Sequence, residues 1–421
     1  MKKAIILLIS LLWLPQLLHA NEGTIAFIGA TLIDGTDAPP LANSTILITD
    51  GYIRAVGPSA DVTVPANAQR IDVAGKYIIP GMINAHGHAG DTLGLSAGNY
   101  SRDNLLDHLG LYARYGITTV YSLGGDEAAG FALRNEQFTP DLDRARIFVA
   151  GTVVSGDDAA SVRSQVNRNA DMGADFIKTR VQSGGELPTI DRELFQTLVD
   201  QAHSRRLPVA VHIYYLGEAK MALQAGADLI AHSVRDRIVD DEFINLLRSN
   251  NVCYIPTLTR EISTFSYEDV PEFFADPFFL KEEEPAIIAE LSTPEYQSRI
   301  RNSGSAQQFK ADLPNALANV GMLHRSGVKI AMGTDSGPPA RFQGYFEHME
   351  MQMMANADMS PLDVIRSATG VAAGCMGAGD IGTIEPGNWG DLVVLAANPA
   401  EDIGNTRSIE SVWIAGNRVP D

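Results

Sequence analysis

Cysteine is scarce in this sequence, which has only Cys253 and Cys375 among its 421 residues. Two cysteines so far apart in the chain exclude a disulfide-rich scaffold. We expect both side chains to be reduced thiols within the core. An oxidising compartment would permit a disulfide between them, but their spacing does not indicate one.

Basic residues are outnumbered, because 32 lysines and arginines stand against 51 aspartates and glutamates, which gives a formal net charge of −19. An acidic surface repels nucleic acid and anionic lipid, so we expect neither as a partner. Hydrophobic residues make up 45% of the chain and charged residues 20%, which is typical of a globular domain.

Long hydrophobic runs are missing except at the N-terminus. There Lys2 and Lys3 precede an apolar run that ends at Pro15, and residues 18–20 form a plausible cleavage site. A run this short indicates a signal peptide over residues 1–20 rather than a membrane span, and a buried N-terminal helix is the alternative. We therefore expect a periplasmic or secreted protein, with no membrane association after cleavage and a net charge of −21 once both lysines are removed.

Both ends of the chain consist of short β-rich runs separated by turn residues. In the first, Asp50 and Gly51 stand between two apolar runs, as a hairpin turn would. Neither end supplies enough strands for a complete unit. We therefore predict that residues 21–78 and 380–421 fold together into one small β-sandwich domain.

The middle of the chain, residues 79–379, alternates strands with helices. Counted from the strand that ends at His86, there are eight strands with helices between them. This pattern predicts an α/β fold, a TIM-like (β/α)8 barrel, whose active site lies where the strands end and the following loops begin. A long aromatic-rich insertion near residues 258–308 follows the seventh strand, and we expect it to form a helical lid over that face.

Metal-binding residue types recur at the ends of these predicted strands. His86 and His88 are two apart, so a strand would point both imidazoles to the same side. Four further residues end the fourth, fifth, sixth and eighth strands, respectively Lys178, His212, His232 and Asp335. Six such side chains at one rim predict a metal site.

Each of these residue types has a chemical reason to be there. Neutral imidazole suits zinc, and a carboxylate oxygen completes a borderline site. Lysine has no lone pair when protonated, but burial and neighbouring positive charge favour its neutral amine. The amine of Lys178 can then react with carbon dioxide to give a carbamate, which is able to bridge two metal ions.

These residues lie in motifs that resemble the amidohydrolase superfamily, within it the branch of imidazolonepropionase-like and prolidase-like (Xaa-Pro dipeptidase) enzymes. The resemblance covers the whole predicted mature chain, and its motifs are PGMINAHGH, ADFIKT, AVHIY, LIAHS, MGTDSG and GTIEPGNWGDLVVL. It implies two divalent ions, expected to be zinc, with Lys178 as the carbamate bridge. One ion would be held by His86, His88 and Asp335, and the other by His212 and His232.

The resemblance also implies a mechanism, in which a water shared by the two ions hydrolyses an amide bond. Asp335 would take the proton and pass it to the leaving amine. Tyr214 resembles the tyrosine that polarises the substrate carbonyl in prolidase-like members, and Tyr215 beside it is a candidate substrate-binding residue. One departure is Asn84, where many relatives carry an aspartate.

We expect a small-molecule substrate, with an apolar or aromatic portion if the lid takes part in binding. Among the rim arginines, Arg180 and Arg235 are candidates to pair a substrate carboxylate. The main alternative is a mononuclear deaminase or cyclic amide hydrolase, which needs no lysine on strand four. A lactonase or esterase could use the same apparatus, and a non-catalytic binding protein would have lost ligands. A homo-oligomer is compatible with the sequence.

Overall fold

The computed structural model describes residues 23–183 and 189–420 as a mixed α/β protein. The predicted signal peptide, residues 1–20, lies outside the described residues and stays a prediction. The strands are β1 (Ile25–Leu32), β2 (Leu41–Thr49), β3 (Tyr52–Pro58), β4 (Gln69–Asp72), β5 (Tyr77–Pro80), β6 (Met82–Gly87), β7 (Ile117–Ser122), β8 (Arg146–Val149), β9 (Ile177–Arg180), β10 (Val209–His212), β11 (Leu229–Ala231), β12 (Cys253–Ile255), β13 (Leu392–Leu395), β14 (Ile409–Ile414) and β15 (Asn417–Arg418).

Helices separate most of the strands between β6 and β13. They are α1 (Arg102–Arg114), α2 (Ala128–Glu136), α3 (Ala159–Met172), α4 (Arg192–Ser204), α5 (Leu216–Gln224), α6 (Asp241–Ser249), α7 (Leu258–Ser263), α8 (Pro277–Leu280), α9 (Pro285–Leu291), α10 (Pro294–Arg301), α11 (Gly304–Arg325), α12 (Tyr345–Asn356), α13 (Pro361–Ser367) and α14 (Gly370–Cys375). No helix within the described ranges is both long and apolar enough to cross a membrane.

Strands from both ends of the chain pair in one eight-stranded sheet. Its order is β15-β14-β13-β5-β1-β2-β3, with β4 also pairing with β1. Asp50 and Gly51 turn β2 into β3 with positive φ angles of 53° and 80°, as a tight hairpin requires. Phe27 and Trp413, contributed by opposite ends of the chain, pack edge to face at 5.0 Å in the core of this sheet. The pairing describes a single sheet, and the two-layered sandwich stays a prediction.

Two sheets of parallel strands form the middle of the protein. One has the order β6-β7-β8 and the other β12-β11-β10-β9. Every residue of β6, β7, β10, β11 and β12 is buried, because parallel strands are covered on both faces. The helices that follow are amphipathic, as in α6, which buries Phe243, Ile244 and Leu247 and is capped by the side chain of Asp240.

The predicted eighth strand is an extended segment rather than a regular strand. Within residues 328–335, Ile330 forms one isolated β-bridge, to Tyr254. Ser336, just beyond this segment, forms another, to Gly87. The backbone hydrogen bonds of the segment reach the strands on both sides. Ala331 donates to Tyr254 of β12 at 3.0 Å, whereas the carbonyl of Met332 accepts from Ala85 of β6 at 2.9 Å.

The insertion after β12 is helical, and its aromatic side chains pack mainly on one another. Tyr267, Phe274 and Phe279 are buried in a cluster that also contains Phe342 and Phe346 from beyond the insertion. The phenol of Tyr267 donates to the carbonyl of Ala340 at 2.6 Å, which fastens the insertion to that loop. These aromatics therefore form a small core of their own and give no support to an aromatic substrate.

The expectation of two reduced cysteines is wrong, because Cys253 and Cys375 form a disulfide. Cys253 begins β12, and Cys375 is the last residue of α14, so the fold brings their Cα atoms to 5.8 Å. That distance suits a disulfide. The two residues are 122 positions apart, so the sequence alone could not reveal that this helix ends beside this strand.

Candidate metal centre

His86 and His88 lie where β6 ends, facing the segment that replaces the eighth strand. The backbone N–H of His88 donates to the carbonyl of Ser336 at 2.8 Å, which fixes the end of β6 against that segment. The side chain of His86 is 1% exposed, and that of His88 is 24% exposed. The pair therefore lines the site from its floor to its opening.

Asp335 joins these two histidines from the other side. Its Oδ1 lies 2.9 Å from Nε2 of His88 and 3.5 Å from Nε2 of His86. Asp335 has a φ of 57°, a left-handed conformation that is uncommon outside glycine, and its N–H donates to the carbonyl of His86 at 2.6 Å. One ligand atom from each of the three residues lies within 4.8 Å of the others, close enough to hold one metal ion.

Lys178 and the two remaining histidines continue the cluster. The Nζ of Lys178 lies 3.5 Å from Nε2 of His86. The ring of His86 is 4.6 Å from that of His232, and the ring of His232 is 4.1 Å from that of His212. The structure therefore brings all six residues predicted as metal ligands into one continuous group, in which the four histidines lie at or just beyond strand ends, Lys178 lies within β9 and Asp335 lies on the extended segment.

Hydrogen bonds determine which ring nitrogen of each histidine can bind a metal. Nδ1 of His88 lies 2.9 Å from the carbonyl oxygen of Gly124, so it donates a proton and leaves a lone pair on Nε2. Nδ1 of His232 is engaged by the hydroxyl of Thr257 at 2.7 Å, which also leaves Nε2. In His212 the roles of the two nitrogens are exchanged. Its Nε2 contacts Oε1 of Gln182 at 2.7 Å, so Nδ1 is the nitrogen left to bind a metal.

Burial sets the charge of these groups. It lowers the pKa values of His86, His212 and His232 well below the usual range, so these imidazoles are neutral and their nitrogens can coordinate. Burial also lowers the pKa of Lys178 to about 7, with Arg180 and Arg260 acting in the same direction against Asp335. The donor set is thus imidazole, carboxylate and a partly neutral amine, which fits divalent ions such as zinc.

Two arginines that follow the seventh and eighth strand positions lie beside Asp335. Nη1 of Arg341 donates to Oδ2 of Asp335 at 2.6 Å, and Nε of Arg260 lies 3.7 Å from the same oxygen. Burial alone would raise the pKa of Asp335, but the positive charge of Arg341 and the contacts with His86 and His88 hold it well below its usual range. Asp335 is therefore ionised and available as a ligand.

A buried carboxylate supports the floor of the site. Oε1 of Glu347 accepts hydrogen bonds from Asn84 at 2.6 Å, Thr334 at 2.7 Å and Ser336 at 2.6 Å. The carbonyl oxygen of the Asn84 side chain accepts in turn from the backbone N–H of His86 at 2.9 Å. Asn84 thus links the metal-binding strand to Glu347 by an amide that donates and accepts at once, which an ionised aspartate could not do.

The predicted substrate-binding residues differ in their surroundings. The hydroxyl of Tyr214 donates to Asp312, and Tyr215 is 38% exposed at the start of α5. Arg235 is fully buried, pairs with Glu261 at 3.0 Å and covers the ring of Tyr214 at 4.3 Å. Arg235 therefore has no exposed surface for a substrate. The Arg180 side chain is half-buried and makes no hydrogen bond or ion pair with the described residues.

Sequence reasoning missed the residues that orient the ligands. Gln182, Thr257 and Glu347 have no motif of their own, since glutamine, threonine and glutamate occur in every kind of loop and helix. Arg260 and Arg341 stand out in the sequence only as rim arginines. Their position in the sequence could have identified two of them, because Gln182 and Thr257 each lie two residues beyond the end of a strand.

Comparisons with known proteins all point to amidohydrolases. Residues 77–419 match the amidohydrolase family. An ochratoxinase of Aspergillus niger is 24% identical, over 94% of this chain and 87% of that enzyme. An imidazolonepropionase of a Bradyrhizobium species is also 24% identical, over 86% and 89%. The crystal structure of a Xaa-Pro dipeptidase with bound methionine superposes with a TM-score of 0.77 at 22% identity, covering 95% of this chain and all of that one.

Proposed function

The chain belongs to the amidohydrolase family, and we propose that it is an exported hydrolase that uses two metal ions to cleave the amide bond of a dipeptide or an N-acyl amino acid. The observation that supports this most is the convergence of six potential ligands from five separate segments of the chain. The names of its relatives agree in kind, since they include a dipeptidase and an ochratoxinase.

His86, His88 and Asp335 would hold one ion, and His212 with His232 the other. Lys178 would lie between them as a carbamate. Three features support that assignment: the burial of Lys178, its distance of 3.5 Å from His86 and a pKa lowered to about 7, since only the neutral amine reacts with carbon dioxide. Zinc is the ion that this donor set fits best.

When bound, the ions would activate water and polarise the scissile carbonyl. The chain's own groups do the rest. Asp335 accepts the proton at its carboxylate and returns it to the nitrogen of the leaving amine. The contacts of Gly124, Thr257 and Gln182 keep the imidazoles in fixed orientations and tautomers. Tyr214 would polarise the carbonyl only if its hydroxyl left Asp312.

The proposed architecture is a closed (β/α)8 barrel. Isolated parallel bridges support this closure. One, from Val154 to Thr179, joins the segment after β8 to β9 and so connects the two sheets. The other, from Tyr254 to Ile330, joins β12 to the extended segment. The segment that ends at Ser336 then returns to Gly87 of β6. In such a barrel the six ligands stand at the carboxyl ends of the strands, where active sites of this fold lie.

Export is proposed from the pattern of residues 1–20. The disulfide between Cys253 and Cys375 supports it, since disulfides persist mainly in oxidising compartments. Secretion or a periplasmic location would be checked by N-terminal sequencing of the protein recovered from each compartment. A start near residue 21 is expected.

The function is tested by loading the purified protein with zinc and screening Xaa-Pro and other dipeptides, N-acyl amino acids and lactones. We expect nearly two ions per chain and hydrolysis of amide substrates that a chelator abolishes and zinc restores. Fully metallated protein that hydrolyses none of these amides would contradict the proposal.

A mononuclear deaminase or cyclic amide hydrolase is the second candidate. It is favoured by one observation, that only His86, His88 and Asp335 form a compact three-atom ligand group among the described residues. An imidazolonepropionase is also among the relatives. About one ion per chain, with ammonia release or ring opening and no dipeptide hydrolysis, would establish this alternative instead.

A further inference from the structure

Arg260 is a largely buried cation beside the candidate metal centre, and most of its hydrogen-bonding capacity is unused among the described residues. It lies in α7, its side chain is 12% exposed, and its guanidinium covers the ring of Phe309 at 4.4 Å. Nε is buried and has no hydrogen-bond partner among residues 23–183 and 189–420. The contacts of its charged group are long, 3.7 Å to Asp335 and 3.5 Å to Glu261.

The neighbouring arginines are used differently. Arg235 is enclosed with Glu261 at 3.0 Å, and Arg341 makes a short hydrogen bond of 2.6 Å to Asp335. Asp335 and Glu261 are thus already paired, and the metal ions that Asp335 would bind only add positive charge. A buried guanidinium that lacks a close anion is unfavourable, so an anion from outside the chain is expected there.

The geometry of Arg260 selects the kind of anion. Phe309 covers one face of its guanidinium, and the N–H groups all lie in the guanidinium plane, so a hydrogen-bonding ligand approaches in that plane, through N–H groups that include Nε. In-plane approach matches the two oxygens of a carboxylate, which arginine binds through two parallel hydrogen bonds.

The position of Arg260 then identifies which part of the substrate has the carboxylate. Asp335 would deliver the proton to the leaving amine, and Arg260 lies 3.7 Å from that same carboxylate group. A group that binds Arg260 is therefore on the amine side of the scissile bond, as in the C-terminal amino acid of a dipeptide or the amino acid of an N-acyl amino acid.

We propose that Arg260 binds the free carboxylate of the leaving amino acid and restricts the enzyme to substrates with a free carboxylate at that position. This inference rests on the proposed function. Arg180, which has no ion pair with the described residues, supplies additional positive charge on the same rim. Substrates whose carboxylate is replaced by a neutral carboxamide should be poor.

The test compares an N-acyl amino acid with its C-terminal carboxamide in the zinc-loaded wild type, in Arg260→Gln and in Arg260→Lys. We expect the wild type to prefer the carboxylate substrate by about 100-fold in kcat/KM, mainly through KM. In Arg260→Gln, kcat/KM should fall about 100-fold for the carboxylate substrate and less than about 3-fold for the carboxamide. For the carboxylate substrate, kcat/KM of Arg260→Lys should lie between the values of the wild type and Arg260→Gln. Arg237→Gln is the matched control, because that side chain is 70% exposed and, within the described part of the chain, pairs only with its neighbour Asp236.

Equal losses on both substrates, or a wild type without a preference for the carboxylate, would overturn the role of Arg260 while leaving amide hydrolysis intact. Failure of the metallated wild type to cleave either substrate would instead count against the proposed function. In that case calorimetric titration with N-benzoylphenylalanine and with its carboxamide decides the matter, since Arg260 predicts binding of the first and not of the second. Should Arg260→Gln not fold, the wild-type and Arg260→Lys comparisons still decide it.

Discussion

The guanidinium of Arg341 donates a hydrogen bond of 2.6 Å to Oδ2 of Asp335, six residues earlier in the chain. The two residues are joined by a tight loop in which Ala340 has a φ of 61° and Gly337 a φ of 109°. The proposed general base is thus held by a cation from its own loop. Its second oxygen remains directed at His88, 2.9 Å away.

Arg341→Gln should lower kcat/KM about 10- to 100-fold, the usual effect of removing a residue that orients a ligand. Burial raises the pKa of Asp335, and Arg341 is the largest influence that lowers it. Without the arginine this pKa rises, so the acidic limb of the pH profile of kcat/KM should move to higher pH. Unchanged activity and an unmoved limb would show that Arg341 has no part in holding Asp335.

Lys178→Ala should remove one metal ion per chain and about 1,000-fold or more of the turnover, because the proposed bridge between the ions is lost. Metal analysis and kinetics on the same preparation measure both effects. Lys329→Ala is the control, since that lysine is exposed on the segment preceding the proposed active-site end. Full occupancy by two ions in Lys178→Ala would disprove the bridge.

His348 should make the protein less stable in acid. Its ring is buried between Thr406 at 2.9 Å and the carbonyl of Tyr115 at 2.8 Å, and burial lowers its pKa from 6.5 to about 3. The unfolded chain therefore binds a proton on this ring below about pH 6.5, where the folded chain does not. The stability is present above that pH and is lost as the pH falls towards 3, by up to about 1.4 kcal/mol per pH unit.

Urea unfolding at a series of pH values checks this effect. In His348→Gln, the free energy of unfolding should be lower at neutral pH but should fall less steeply between pH 6 and pH 4. Other groups titrate in both proteins, so the difference between the two slopes is the quantity that matters. Parallel curves for the two proteins would exclude His348 as the cause.

Cys375→Ser should lower the free energy of unfolding by about 2–5 kcal/mol, because the disulfide closes a long loop in the unfolded chain. Thermal unfolding with and without a thiol reductant measures the loss. The reductant should destabilise the wild type and leave Cys375→Ser unaffected. Equal melting temperatures for the oxidised wild type and the variant would show that the bond contributes no stability.

The sequence allowed the six clustered residues to be named because metal chemistry restricts both residue type and position. Only a few side chains can coordinate an ion, and His86, His88, His212, His232 and Asp335 all follow apolar runs short enough to be strands. The hairpin at Asp50 and Gly51 was equally predictable, since the turn itself requires positive φ angles.

What the sequence could not provide depends on contacts between distant segments. The pairing of Cys253 with Cys375 requires α14 to end beside β12, and no local pattern encodes that. Arg235 looks like its neighbours in the sequence, but the fold encloses it with Glu261. The extended segment at residues 328–335 has the composition of a strand, and no local pattern reveals that it makes an isolated bridge from Ile330 to Tyr254 rather than a regular ladder.

The bond from Asn84 to Glu347 spans 263 residues of the chain. During synthesis, the residues of β6 with His86 and His88 therefore leave the ribosome long before Glu347, which hydrogen-bonds to Asn84 of that strand, has been added. We expect truncated chains that end between Asp335 and the start of α12 at Tyr345 to bind zinc poorly, even though all six proposed ligands are present in them. Premature capture of metal by an unfinished chain is thereby disfavoured.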